Sequence, residues 1–320
     1  MVNGANSVTA RSAHMLRGAI AFPITPFDAH GAVDLAGVRA NLAMLADSGC
    51  VSIVAPSGTG ELFSLTPSEC AAITRATVET VAGRKPVIAA VGVGPAIGAE
   101  LARAAEDAGA DAVLILPPYY QNPDPAGLLA YYLAIAGATR LPVLPYARDA
   151  AHFTPELVEQ LALAAPNVVG YKDGRGDVRS FMRIREHVIE RLGAERLVWL
   201  GGVGDDLLIP YAAAGAEGFT SSMACFWPEI AAELWDAVQH DPARSRDLHA
   251  TVIRPFYELR ARKRGYEVSV MKAAAEILGY AAGPPRAPLV PVTAAEHAEI
   301  AELLARLRVP TAASRNATAR

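Results

Sequence analysis

The sequence predicts an α/β fold: a closed (β/α)8 (TIM) barrel with a C-terminal helical extension. Three observations carry this expectation. Short apolar runs alternate with longer Ala-rich amphipathic stretches in units of even length. No break in composition divides the chain. No dinucleotide fingerprint opens it, as an open doubly wound sheet would invite, because Gly92-Val93-Gly94 follows an apolar run but lacks a third glycine at the required spacing. The length of 320 residues accommodates a barrel of roughly 250 with terminal additions.

Residues 1–16 lack the apolar stretch of a signal peptide and read as a flexible leader. The barrel is expected over 17–224, with strands at Gly18–Ile24, Val51–Ala55, Pro86–Val91, Ala112–Leu116, Pro142–Tyr146, Val168–Lys172, Leu197–Gly201 and Gly218–Ser221. Thr66-Pro67-Ser68-Glu69 and Thr154-Pro155-Glu156 place Thr at a helix N-cap and Pro at the first helical position. Gly49, Gly109 and Gly215 stand where a helix hands over to a strand, the position of a left-handed cap. Residues 225–309 supply the last barrel helix and the extension, with helices near Trp227–Gln239, Arg244–Lys263, Val268–Leu278 and Ala294–Leu307. Gly283–Pro291 is a stiff connector, and 310–320 reads as a flexible tail.

Composition excludes several classes. Hydrophobic residues make up 52% and charged residues 19%, against the disordered class. A net charge of −4 without a Lys/Arg run argues against a nucleic-acid partner, whereas a small anionic substrate needs only a local Arg. No apolar run approaches the roughly 20 residues of a membrane span. Cys50, Cys70 and Cys225 are odd in number and far apart, which fits buried thiols in a reducing cytoplasm. The seven histidines form no ligand pair beside a carboxylate cluster, so no metal is expected, and no GxSxG elbow is present.

In such a barrel the reactive residues lie where strands end. Lys172 ends the apolar strand Val168–Lys172, on one face with Gly170, which leaves room for a ligand. A desolvated lysine there can be a neutral nucleophile toward a ketone; the same spacing fits a lysine paired with Asp173. Tyr146 and Arg148 share a face at the end of the preceding strand, a phenol for proton transfer and a fork for a carboxylate. Arg148 could equally pair with Asp149 on the rim. Ser57-Gly58-Thr59-Gly60-Glu61 can turn backbone N–H groups and a hydroxyl toward an anion, or be a plain turn. Ser221 and Ser222 end the eighth strand, and Tyr120 stands on the fourth strand's rim.

These segments, in this order, resemble the dihydrodipicolinate synthase and N-acetylneuraminate lyase superfamily. The resemblance runs from Phe22-Pro23-Ile24-Thr25-Pro26-Phe27 through Gly58-Thr59-Gly60-Glu61 to Lys172-Asp173-Gly174. Within it, Gly265-Tyr266-Glu267-Val268-Ser269-Val270-Met271-Lys272 and Ala282-Gly283-Pro284-Pro285-Arg286 are most similar to the 5-dehydro-4-deoxyglucarate dehydratases.

The resemblance implies a homo-oligomeric lyase acting on a six-carbon keto-diacid. It makes Lys172 the Schiff-base lysine and Tyr146 the proton-handling tyrosine. Thr59 and its neighbours hold the proximal carboxylate, Arg148 the distal one, and no cofactor is needed. Tyr120 is the residue that reaches a neighbouring subunit in other branches. Ala147 replaces a common Asn, and Gly58 replaces the relay threonine of synthases. Two other readings share the barrel: a pyruvate-dependent aldolase or synthase, and a non-catalytic keto-acid-binding protein.

Overall fold

The computed structural model describes residues 8–119, 122–149 and 151–318. Eight parallel strands close into a barrel in the order β1 to β8. They are β1 (Ala19–Ala21), β2 (Ser52–Val54), β3 (Val87–Val93), β4 (Ala112–Pro118), β5 (Val143–Ala147), β6 (Gly170–Asp173), β7 (Val198–Gly201) and β8 (Gly218–Ser221). Every expected strand is present: β8 has the expected bounds, β4 runs two residues further, and the others are shortened or shifted by one or a few residues. Helices follow each strand: α1 (Leu35–Ala46), α2 (Pro67–Val81), α3 (Pro95–Ala108), α4 (Pro125–Ala136), α5 (Pro155–Ala164), α6 (Val178–Leu192), α7 (Leu208–Ala213) and α8 (Pro228–His240).

The start signals act as read. Thr66 caps α2 in a reciprocal box with Glu69, and the Thr154 side chain accepts from the Leu157 amide at the start of α5. Gly109 and Gly215 are left-handed, at φ 83° and 92°. Gly49 is not. The first helix ends on Asp47, and a Cβ on Gly49 would stand 2.9 Å from Ala232, so close packing against α8 requires that glycine.

Outward-facing strand residues pack beneath the helices. Tyr132, Phe153, Tyr171, Trp199, Phe181 and Tyr211 meet in sequence as tilted or edge-on rings with centroids 5.1–6.0 Å apart. With Tyr171 committed to that layer, alternation turns Lys172 inward.

Part of the expected flexible leader is structured. Residues 8–12 are helical, and Ala13, Met15 and Leu16 are buried. Leu16 closes the bottom of the barrel: its backbone oxygen lies 2.0 Å, and its Cδ1 3.4 Å, from where a Cβ would sit on Gly218 and Gly170 respectively. Gly170 therefore makes room for the β7 backbone and Leu16, not for a ligand, since Val198 O lies 2.9 Å from its Cβ position.

The expected helix Arg244–Lys263 is three pieces, Pro242–Leu248, a π-helical turn His249–Ile253 and Arg254–Arg260. The turn falls just before Pro255, whose missing N–H cannot close a regular ladder. Helices Tyr266–Ile277 and Ala294–Leu307 follow. The expected flexible tail forms a helix, Ala312–Thr318, whose Arg315 pairs with Glu229. Phe256, Met271 and Ile300 share one core with Ala21, Ile53 and Phe219, so the extension is built onto β1, β2 and β8. No helix among the described residues is long and apolar enough to cross a membrane.

Candidate active site

A cleft of about 490 Å³ opens at the C-terminal end of the strands. Lys172 stands at its floor, 1% exposed. Register pairs Lys172 on β6 with Tyr146 on β5, and Nζ lies 3.1 Å from the centroid of the Tyr146 ring and 5.1 Å from that of Phe22. Its hydrogen bond runs to Gly202 O at 3.4 Å. A Cβ on Gly202 would stand 2.7–2.8 Å from the lysine's Cγ, Cε and Nζ, so only glycine leaves the amine its place.

Burial drives the Lys172 pKa well below that of a free lysine, and the Arg148 charge pushes it the same way. Asp173 does not pair with it. The Asp173 carboxylate accepts from Tyr211 Oη at 2.6 Å, the Arg175 amide at 2.9 Å and Tyr171 Oη at 3.4 Å.

Tyr146 is buried, and its hydroxyl donates to Gly202 O at 3.2 Å. Burial raises its pKa, while Arg148 opposes the rise through a 3.5 Å hydrogen bond from Nη1 and through its charge. Gly174 must lack a side chain because a Cβ there would lie 2.5 Å from the Tyr146 ring. Arg148 makes both contacts open to it from sequence: it reaches Tyr146, and its Nε also lies 3.4 Å from Asp149. Its Nη1 is 3.8 Å from the Cβ position of Gly58, so it leans over the β2 loop.

In that loop Gly58 and Thr59 line the cleft. Among the described residues, neither amide nor the Thr59 hydroxyl has a protein partner. Ser57 does not reach the cleft. It is fully buried, with its Oγ accepting from Gly60 N at 3.4 Å.

The loop is anchored by Glu61, left-handed at φ 58° and fully buried. Lys272 Nζ lies 2.9 Å from Glu61 Oε1, and the Arg286 amide donates to Oε2 at 2.8 Å. Phe27 stacks beneath both cations, and Arg286 also grips Glu69. The segments Gly265–Lys272 and Ala282–Arg286, singled out by resemblance, thus clamp the β2 loop to the extension.

The cleft is also lined by Thr220, Ser222, Arg260, Glu267 and Val268, from the end of β8 and from the extension. Arg260 Nη1 donates to Ser222 Oγ at 2.7 Å, and its guanidinium lies 4.1 Å from the centroid of Tyr257. Tyr257 is fixed in turn by Asp205, to which Ser221 also donates. Ser221 is thus fully buried behind the cleft, contrary to the sequence reading, and Ser222 lines it. Tyr120 lies outside the described residues. Sequence reasoning missed Gly202, Arg260 and Glu267. Among the described residues, no group of three or more His, Cys, Asp or Glu is arranged to hold a metal ion.

Fold and site define a (β/α)8-barrel enzyme. The model of the dihydrodipicolinate synthetase family matches residues 15–307. The chain is 40% identical over 299 residues to the "Probable 5-dehydro-4-deoxyglucarate dehydratase" of Bradyrhizobium diazoefficiens, covering 91% of this chain and 92% of that one. It is 41% identical over 293 residues to the protein of the same name from Methylobacterium radiotolerans, covering 90% and 94%. Among solved structures, the dihydrodipicolinate synthase of Bacillus clausii superposes with a TM-score of 0.86 at 30% identity, over 92% of this chain and 99% of that one. The chain belongs to the dihydrodipicolinate synthetase family and is a lyase.

Proposed function

We propose that this enzyme removes water and CO2 from 5-dehydro-4-deoxyglucarate, giving 2,5-dioxopentanoate through a Schiff base on Lys172. The observation that carries the reading is a desolvated lysine against the Tyr146 ring, in a chain about 40% identical to proteins named for that dehydratase.

The neutral Lys172 amine attacks the ketone, and loss of water leaves a protonated imine. The imine acidifies the adjacent CH2. Removal of that proton gives an enamine, which expels the hydroxyl one carbon further on as water. The resulting conjugated iminium accepts the electron pair of the bond to the distal carboxylate, and CO2 departs. Protonation and hydrolysis release the product and the amine. The imine serves as the electron sink, so the proposal needs no cofactor.

Tyr146, hydrogen-bonded to Arg148 and beside Nζ, is the group assigned to proton transfer. We assign the carboxylate next to the ketone to the free amides of Gly58 and Thr59, the Thr59 hydroxyl and Arg148, which leans over Gly58. This moves Arg148 from the distal to the proximal end. Buried free thiols at Cys50, Cys70 and Cys225 fit the cytoplasm, and a homo-oligomer is the proposed assembly.

The rival is a pyruvate-dependent aldolase or synthase, favoured by the name of the superposed Bacillus clausii enzyme. Incubation with the keto-diacid, with and without borohydride, followed by mass spectrometry, separates them. We expect a reduced adduct on Lys172, and CO2 with 2,5-dioxopentanoate when borohydride is omitted. A pyruvate adduct without diacid turnover would transfer the chain to the rival. No adduct with either would end the Schiff-base reading and leave a non-catalytic binder.

A further inference from the structure

The cleft carries a second arginine that the proposed chemistry does not use. Arg260 ends the helix Arg254–Arg260 of the extension and faces the barrel mouth beside Ser222. Among the described residues no carboxylate lies within ion-pair distance of it, although its charge is felt by the buried Asp205 and Asp206, whereas Arg148 has Asp149 at 3.4 Å. A guanidinium has five N–H donors, and the bond to Ser222 uses one.

Its position is fixed from two sides. The Tyr257 ring supports it at 4.1 Å, and the Tyr257 hydroxyl donates to Asp205 Oδ2 at 2.8 Å and accepts from the Asp205 amide at 2.6 Å. A planar cation held flat on a braced ring, with donors left over, is preorganised for a carboxylate. Glu267 lines the same cleft, but one of its oxygens accepts from Gly265 N at 2.9 Å and its charge is felt by Arg148.

We infer that Arg260, with Ser222, forms a second carboxylate slot, so that the C-terminal extension selects dicarboxylic 2-keto acids over monocarboxylic ones. Gly58, Thr59 and Arg148 line the same cleft as Arg260 and Lys172, so a keto-diacid bound over Lys172 has a cation for each carboxylate. A ligand such as pyruvate fills the first slot only and leaves Arg260 unmatched. The inference rests on the proposed Schiff-base site, but not on dehydration or loss of CO2. A clamp on the departing carboxylate does not lower its barrier by binding charge. Its contribution is orientation, holding the bond to be broken across the plane of the conjugated iminium.

Two six-carbon probes isolate the slot: 2-oxoadipate, with a distal carboxylate, and 2-oxohexanoate, without one. The concentration of each that half-saturates borohydride labelling of Lys172 is measured for the wild type, Arg260→Ala and Arg260→Lys. The ligand-induced rise in melting temperature gives the same comparison without borohydride trapping. We expect the wild type to prefer the diacid by on the order of tenfold to a hundredfold, the range of a charge-assisted pair. Arg260→Ala should abolish the preference and Arg260→Lys restore part of it. Because the readout is a ratio of two ligands on one variant, a fraction of misfolded protein cancels. A wild type without preference, or an alanine variant that keeps it, would overturn the inference. An Arg260-dependent preference, with no CO2 released from 5-dehydro-4-deoxyglucarate itself, would uphold the slot and refute the dehydratase.

Discussion

Glu61→Gln probes the clamp behind the β2 loop, and its cost should depend on pH in a way Lys272 dictates. Both partners are at most 2% exposed, and Nζ lies 2.9 Å from the carboxylate. Leaving a buried charge unpaired costs roughly 3–5 kcal/mol when the charge has no way out. Lys272 has one. Burial, with the nearby Arg286 charge adding to it, already holds its pKa at about 8 instead of 10.5, although Glu61 opposes the shift.

Releasing the proton from a group at about 8 costs about 1 kcal/mol at pH 7 and about 3 kcal/mol at pH 6, at roughly 1.4 kcal/mol per pH unit. At pH 8 the cost is below about 1 kcal/mol. Deprotonation therefore caps the penalty. A lysine whose folded pKa lies below its unfolded one leaves the unfolded chain holding more protons between the two, so stability rises with pH across that interval. The wild-type interval runs from about 8 to 10.5, and the variant's extends lower. Glu69, drawn down to about 2 by Arg286, does not titrate in this range. Gln keeps an acceptor for the Arg286 amide, so that bond is common to both proteins.

Urea unfolding of both proteins at pH 6, 7 and 8, followed by tryptophan fluorescence, measures the gap. It should widen steadily as the pH falls. A gap that is constant from pH 6 to 8, or that reaches 3–5 kcal/mol at pH 7, would mean that Lys272 stays charged without its partner.

Two further outcomes concern the reacting lysine. Lys172→Met should abolish adduct formation yet raise the melting temperature by a few degrees, because a buried amine of lowered pKa costs the fold stability at neutral pH; a lower melting temperature in calorimetry would contradict the desolvation account. Arg148→Ala removes a charge that depresses Lys172, so the pH profile of pyruvate labelling should move to higher pH, with less adduct at pH 7. An unmoved profile would take Arg148 out of the site.

Much of the barrel is legible because its signals are local. Alternating apolar runs mark the strands, and Thr-Pro pairs mark helix starts whose side-chain caps form as read. The misreadings concern glycines. Gly49 and Gly170 were assigned to a cap and a ligand space, but each answers to a chain segment distant in sequence, Ala232 in one case and β7 with Leu16 in the other. Glycine records that something comes close without recording what.

The same division runs through the site. Lys172, Tyr146, Arg148, Gly58 and Thr59 were found because they sit at strand ends, where the barrel rule applies directly. Ser221 was avoidable: Thr220 and Ser222 both face the cleft, and a period of two then turns Ser221 away. Arg260 and Glu267 could not be found this way. Arg260 arrives from a helical run interrupted by a π turn and Glu267 from the helix after it, and nothing in their periodicity says which end meets the barrel mouth. The resemblance through Gly265–Lys272 pointed to that region without giving it a mechanism.

The placement of the cations bears on how one lysine serves both halves of the proposed reaction. In the free cleft Arg148 disfavours a charge on Lys172, which keeps the amine nucleophilic. The imine that follows must be cationic to act as an electron sink, and an unmatched arginine would then oppose it. A dicarboxylate resolves the conflict on binding. Its proximal charge offsets Arg148, and the field at Nζ turns from one that repels a proton to one that tolerates an iminium. Its distal carboxylate, held by Arg260, orients the bond to be broken, which a monocarboxylate cannot do. On this reasoning the second slot affects the chemical step as well as binding, and Arg260→Ala should lower kcat for the diacid in addition to raising KM.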